Sequence, residues 1–231
     1  MNIIINGGTR GIGKEVALLF AENKSHKILV TGRSGSILEN LEKSALHNNI
    51  FTHRIDLEDF DKQAGSFRTA VQNVFHNVDI LINCAGMLVT AGFMQFSDDD
   101  ARRMMQINFF GPALLTRIVR PFMPAGSHII NISSMGGYQG SAKYPGLSYY
   151  SASKAALACL SECLSVEFRE AGIAVNCLAL GSVATEMFEK AFPGHIASFS
   201  AVDMAAFIAD FAINGNKYFS GRILPVSISN P

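Results

Sequence analysis

The chain has 231 residues, 48% hydrophobic and 16% charged, with 19 basic and 19 acidic side chains and no formal net charge. That length and apolar content suit one large α/β unit with a substantial core, and no linker divides it. The even charge balance argues against a nucleic-acid binder, which carries a basic excess or stripe, and gives no support to a membrane-surface role.

The first apolar run, 2–6, reads as a strand leading directly from Met1. No charged n-region precedes it, so no leader peptide is expected. Asn6-Gly7-Gly8-Thr9-Arg10-Gly11-Ile12-Gly13 follows and opens an expected helix over 11–23. Glycines there let the backbone turn tightly and approach a pyrophosphate, whose charge is favoured at a helix N-terminus. A tight strand-to-helix turn without a ligand is the competing reading.

The second strand is expected over 27–31, followed by Gly32-Arg33-Ser34. An NAD-selective fold usually has a carboxylate at this edge for the ribose 2′-hydroxyl. Arg33 stands here instead, and with Arg10 it can hold a 2′-phosphate through charge-assisted bonds. NADP(H) is therefore expected over NAD(H), against the alternative of two solvated arginines. A helix over 37–47 and a strand over 50–55 come next, then Asp56 and Leu57. Asp56 suits either a bond to adenine or a turn.

After a helix over 58–75, the strand over 79–83 ends in Asn83-Cys84-Ala85-Gly86, small residues that leave room for the adenosine half of a dinucleotide. The uncharged stretch 80–97 is broken by Asn83, Gly86, Gly92 and Gln95, so it reads as a strand and a site loop, not a membrane span. One helix is expected over 98–120; Asn108 inside it is a poor helix-interior residue that bonds backbone or water.

The strand over 128–133 leads to Ser133 and Ser134, beyond the carboxyl end of a strand, where ligands bind in such sheets. No Gly-x-Ser-x-Gly elbow is present, and neither His128 nor His195 stands in a triad context. Residues 134–148, with four glycines, a proline and one charge, read as a loop over a site. In the helix expected over 150–170, Tyr150 and Lys154 share a face at i,i+4. A phenol titrates near ~10, and an adjacent cation lowers that, so the pair reads as a tuned general acid/base.

A strand over 174–180, a helix over 203–213 and a strand over 222–226 complete the pattern. The segment 185–200 is either a substrate lid or an ordinary surface helix. Cys84, Cys159, Cys163 and Cys177 read as free thiols of a reducing compartment; no ligand pairing points to a metal. A cytoplasmic protein is expected. Strands alternating with helices argue for a parallel sheet covered on both faces.

Taken together, the Gly7/Gly11/Gly13 turn, Asn83-Cys84-Ala85-Gly86, and Ser134 with Tyr150 and Lys154 resemble the short-chain dehydrogenase/reductase family over nearly the whole chain. The resemblance implies one Rossmann-type doubly wound domain over residues 1–231, with seven parallel strands in the order 3-2-1-4-5-6-7. It implies a catalytic tetrad of Asn108, Ser134, Tyr150 and Lys154. In it Tyr150 protonates a carbonyl oxygen, Ser134 polarises that oxygen, Lys154 lowers the pKa of Tyr150 and holds the nicotinamide ribose, and Asn108 anchors a relay water. The cofactor set comprises Gly7, Thr9, Arg10, Gly11, Ile12, Gly13, Arg33, Asp56, Leu57, Asn83, Ala85, Gly86, Tyr150, Lys154, Gly181, Val183 and Thr185.

The implied activity is reduction of a carbonyl by NADPH, or the reverse oxidation of an alcohol, in a homodimer or homotetramer formed through the Tyr150 and Asn108 helices. An NAD-dependent alcohol dehydrogenase and a dinucleotide-binding regulator without turnover are the alternatives. Met87, Phe93, Met94, Tyr144, Phe188 and Phe192 are expected to line an apolar substrate pocket. Three departures stand out. Asn6 replaces the usual Thr. Leu180 replaces a Pro, which implies a less rigid backbone there. The C-terminus, 224–231, lacks the Asp-Gly-Gly common in fatty-acid-synthesis reductases.

Overall fold

The computed structural model describes residues 1–228, so Ser229 to Pro231 of the C-terminal motif lie outside the described residues. In chain order the elements are β1 Asn2–Asn6, α1 Gly11–Ala21, β2 Lys27–Gly32, α2 Gly35–Ser44, β3 Ile50–Arg54, α3 Phe60–Val74 and β4 Ile80–Asn83. There follow α4 Asp98–Met105, α5 Gly111–Val119, β5 His128–Ser134, α6 Ser148–Glu167 and β6 Ala174–Leu180. The chain closes with β7 Val183–Ala184, α7 Glu186–Ala191, β8 Phe199–Ser200, α8 Ala201–Asn214 and β9 Ile223–Val226. Seven strands form one parallel sheet in the order β3-β2-β1-β4-β5-β6-β9, the expected order with β9 as seventh strand.

Side chains alternate across the sheet with the period of two that a strand imposes. Ile3, Ile5, Ile28, Val30, Ile80, Ile82, Ile130 and Ile132 pack on one face with α1, α2 and α8. Ile4, Leu29, Leu81 and Ile129 pack on the other with Phe60, Phe67 and Val71 of α3 and Leu115 and Ile118 of α5. Burial on both faces explains why these strands read as nearly continuous apolar runs.

Two features depart from the sequence reading. The helix expected over 98–120 is interrupted by a π turn, Gln106–Phe110, in which Gly111 N–H bonds Gln106 O. Residues 182–200 begin and end side by side, because β7 pairs with β8 in a two-residue ladder that encloses α7. Among the described residues no helix is long and apolar enough to cross a membrane.

His128 is structural. It is buried, with Nδ1 3.1 Å from Ala212 O and Nε2 2.9 Å from Asn176 Nδ2. The Asn176 amide donates, so Nε2 accepts and Nδ1 carries the proton. Burial pulls the imidazole down to about 4 from 6.5, the Ala212 bond opposing. The unfolded chain therefore takes up a proton that the folded one refuses. The stabilisation is complete above about pH 6.5 and is lost as pH falls toward 4, by about 3 kcal/mol. Urea midpoints between pH 7 and 4.5 are expected to drop more steeply in the wild type than in a His128→Asn variant.

Candidate active site

The turn after β1 is held from both sides. Gly7 and Gly8 N–H donate to Thr31 O at 2.9 and 3.2 Å, and Cys84 and Ala85 N–H both donate to Asn6 O at 2.9 Å. Gly7 has φ +87°, and a Cβ there would lie 2.5 Å from the Ala85 backbone. A Cβ on Gly13 would strike Gly7 O. The turn thus lies flat against the end of β4, with the start of α1 behind it. Arg10 occupies the N-cap of α1 and makes no side-chain cap, so the first N–H groups of the helix are left to another acceptor.

This turn forms one end of a cavity of about 900 Å³ beyond the carboxyl ends of the central strands. Gly7, Thr9, Arg10, Gly11, Ile12, Gly13, Arg33, Asp56, Leu57, Ala85, Gly86, Gly181, Val183 and Thr185 line it. So do Ser134, Tyr150 and Lys154, bringing most of the expected set into one concavity. Asn6 lines it as well, and its Nδ2 is buried with no partner among the described residues; Oδ1 accepts from Thr31 Oγ1 at 3.1 Å. An uncapped helix N-terminus, glycines that cannot carry a Cβ and an unsatisfied donor fit a dinucleotide diphosphate.

Ser134 ends β5, and Tyr150 and Lys154 come from the first turns of α6. Ser134 Oγ accepts from Gly136 N at 3.1 Å and faces the Tyr150 phenol as a hydrogen-bonding neighbour that favours its ionised form. The neighbouring Ser133 is committed elsewhere, donating to Lys154 O at 2.9 Å. Burial raises the Tyr150 pKa above its ordinary value; the Ser134 bond lowers it and Cys84 raises it. Lys154 stands one turn further along α6. Its ammonium is buried, donates to Ile132 O at 2.9 Å, and is lowered by burial against the pull of Cys84 and Cys177. Burial is thus the largest influence on both groups. Cys84 is pushed up to about 11 by burial and stays a neutral thiol.

Two expected site residues are not on the cavity wall. Asn83 is buried, and its Nδ2 donates to Asn131 Oδ1 at 2.8 Å and Thr116 Oγ1 at 3.2 Å. Asn131 in turn donates to Ser161 Oγ, so the amides tie β4, β5, α5 and α6 together instead of touching a ligand. The Asn108 amide is held at both its ends. Oδ1 accepts from Met87 N at 2.7 Å, and Nδ2 donates to Met87 O at 2.8 Å and Ser153 Oγ at 2.9 Å. The side chain pins the loop after β4 to α6; it has no N–H left for a relay water. Lys154 Nζ and Asn108 Oδ1 approach the same point, 3.3 and 3.5 Å from where a Cβ on Gly86 would be.

Asp56 lines the cavity while its Oδ1 accepts from Glu58 N, the turn reading. Leu180 extends the β6 ladder on both sides, against Ser134 and Val226, so the missing proline does not loosen this strand end. Met87, Tyr144, Phe188 and Phe192 line the cavity as expected. Phe93 does not; it stacks on Tyr149 and borders a smaller adjoining cavity with Tyr144. Met94 is 91% exposed and lines neither. Ile196 and Met187 complete the apolar wall, and His195 adds an imidazole to it.

A family profile described as short chain dehydrogenase matches residues 1–195. The chain belongs to the short-chain dehydrogenase family. Among relatives in it, dehydrogenase/reductase SDR family member 7B of Mus musculus is 32% identical over 208 residues. That match covers 87% of this chain but 63% of the relative, so the chain spans under two thirds of that protein's length. A 3-oxoacyl-[acyl-carrier-protein] reductase FabG of Chlamydia trachomatis is 28% identical over 96% of this chain and 94% of its own. Of solved structures in the same fold, ElxO with NADP bound superposes with a TM-score of 0.82 at 26% identity, covering 97% of this chain and 96% of that one.

Proposed function

We propose that this short-chain dehydrogenase is an NADP(H)-dependent oxidoreductase acting on a carbonyl or alcohol carbon, with Tyr150 as general acid/base. The observation that carries this reading is the buried Tyr150 phenol, set beside Ser134 and Lys154 on the wall of a cavity that starts at the glycine turn. Gly7, Thr9, Gly11, Ile12 and Gly13 would hold the diphosphate, and Arg10 and Arg33 the 2′-phosphate. Asp56, Leu57, Ala85 and Gly86 would border the adenosine half, and Gly181, Val183 and Thr185 the nicotinamide. When bound, NADPH supplies hydride to the carbonyl carbon.

The remaining steps belong to the chain. The Ser134 hydroxyl orients the carbonyl oxygen beside Tyr150. The Tyr150 Oη–H bond breaks as its proton passes to that oxygen, which leaves phenolate. The Lys154 ammonium, buried nearby, stabilises that negative charge and holds the ribose hydroxyls. Asn108 acts as a positioning residue, fixing Met87 and Gly86 against Lys154. Alcohol oxidation runs the same proton transfer backwards. The apolar wall of Met187, Phe188, Phe192 and Ile196 suits an uncharged aliphatic or aromatic substrate.

The bound state of ElxO supports NADP(H), as does Arg33, which enters none of the four ion pairs among the described residues. Arg33→Ala is expected to weaken NADPH binding by roughly tenfold to a hundredfold and to leave NADH within about twofold. Calorimetric titration of both cofactors checks this; equal losses would remove Arg33 from the 2′-phosphate site. Phe110 and Val166, 52% and 61% exposed on the helices bearing Asn108 and Tyr150, support self-association into a homodimer or homotetramer. Light scattering of the wild type tests that, and a monomer at micromolar concentration contradicts it.

A further inference from the structure

Arg10 and Glu186 form an ion pair, Nη1 to Oε2 at 3.0 Å, between segments 176 residues apart. Arg10 belongs to the glycine turn, and Glu186 is the first residue of α7. Both line the same cavity. The two segments also meet by packing. A Cβ on Gly11 would lie 3.3 Å from Thr185 Cγ2, and Thr185 caps α7 by accepting from Phe188 N at 3.2 Å. The ion pair is therefore built on a contact the fold already makes.

The Arg10 and Glu186 side chains are 55% and 73% exposed. An ion pair so open to water is weak and easily exchanged. A phosphate offers the same guanidinium a stronger, bidentate, charge-assisted partner. In the closed pair, however, Nη1 is occupied, and a phosphate arriving there meets the Glu186 carboxylate as a like charge.

On the reading that this cavity takes NADP(H), we propose that Glu186 sets cofactor selectivity through Arg10. It holds the guanidinium in the free protein, and a 2′-phosphate must displace it. Glu186 thereby narrows the preference for NADPH over NADH, while a cofactor without a 2′-phosphate leaves the pair closed. The exchange releases the ion pair alone and leaves the packing of Thr185 against Gly11 in place.

Calorimetric titrations of NADPH, NADH, adenosine 2′,5′-bisphosphate and AMP test this on the wild type, Glu186→Gln, Arg10→Gln and the double variant. Glu186→Gln is expected to tighten NADPH and the bisphosphate by about threefold to fivefold. NADH and AMP are expected to stay within about twofold. The gain is to vanish in the Arg10→Gln background and to shrink as salt is raised. Equal tightening of NADPH and NADH, no change for any ligand, or a gain that survives Arg10→Gln overturns the proposal. A wild type that binds neither NADPH nor NADH overturns the cofactor reading itself, and this proposal with it.

Discussion

Tyr150→Phe is expected to lower kcat/KM for NADPH-dependent carbonyl reduction by 10²- to 10⁴-fold, about 3–5 kcal/mol of transition-state stabilisation. The phenylalanine ring fills the same buried position at the start of α6 but has no proton to give. NADPH affinity is expected to change by no more than about threefold, because the glycine turn and the arginines lie at the other end of the cavity. Steady-state kinetics on a ketone panel, paired with a cofactor titration, separates the two effects. The pH dependence carries the same signature. Burial raises the Tyr150 pKa, so the phenol stays protonated through neutrality. Reduction needs that proton and is expected to be flat through neutral pH and to fall only on the alkaline side. Alcohol oxidation needs the phenolate and is expected to rise over the same alkaline range. Ser134→Ala removes a bond that lowers this pKa, so it is expected to move both limbs further upward.

Gly7→Ala is expected to cost about 3 kcal/mol of stability or more and to abolish dinucleotide binding. The backbone at φ +87° is itself strained for alanine, by about 1–2 kcal/mol. The new Cβ would also stand 2.5 Å from Ala85 Cα and N, main-chain atoms that cannot rotate away. Relief requires the turn to lift off the end of β4, which opens the cradle between Gly7 and Ala85. Gly65→Ala is the matched control. Gly65 lies inside α3 with nothing within 4 Å of its would-be Cβ, so alanine is expected to stabilise by about 1 kcal/mol. Urea unfolding of the three proteins distinguishes a local steric effect from a general intolerance of substitution.

The sheet was legible because its central strands are short apolar runs between turn-forming residues, and doubly covered strands leave few other readings. The β7–β8 ladder was not, since two residues show no periodicity. The helix expected over 98–120 missed its π turn, although Pro112 signalled it: proline has no N–H to close on the Asn108 carbonyl four residues back. Among the residues that line the cavity, the glycine turn and the Tyr150–Lys154 pair could be grouped from spacing within single elements, and Ser134 from its place at a strand end. The partners of Asn83 and Asn108, namely Asn131, Thr116, Met87 and Ser153, could not be read in advance because other elements bring them. The same limit hid Glu186, whose partner Arg10 lies 176 residues away in sequence.

The most direct test of the central claim is a titration of the wild-type protein with NADPH and with NADH under identical conditions. The proposed function predicts saturable binding of both, with NADPH tighter by tenfold or more, about 1.4 kcal/mol. Equal or tighter NADH binding would contradict the assignment of Arg10 and Arg33, and binding of neither would contradict the oxidoreductase reading as a whole.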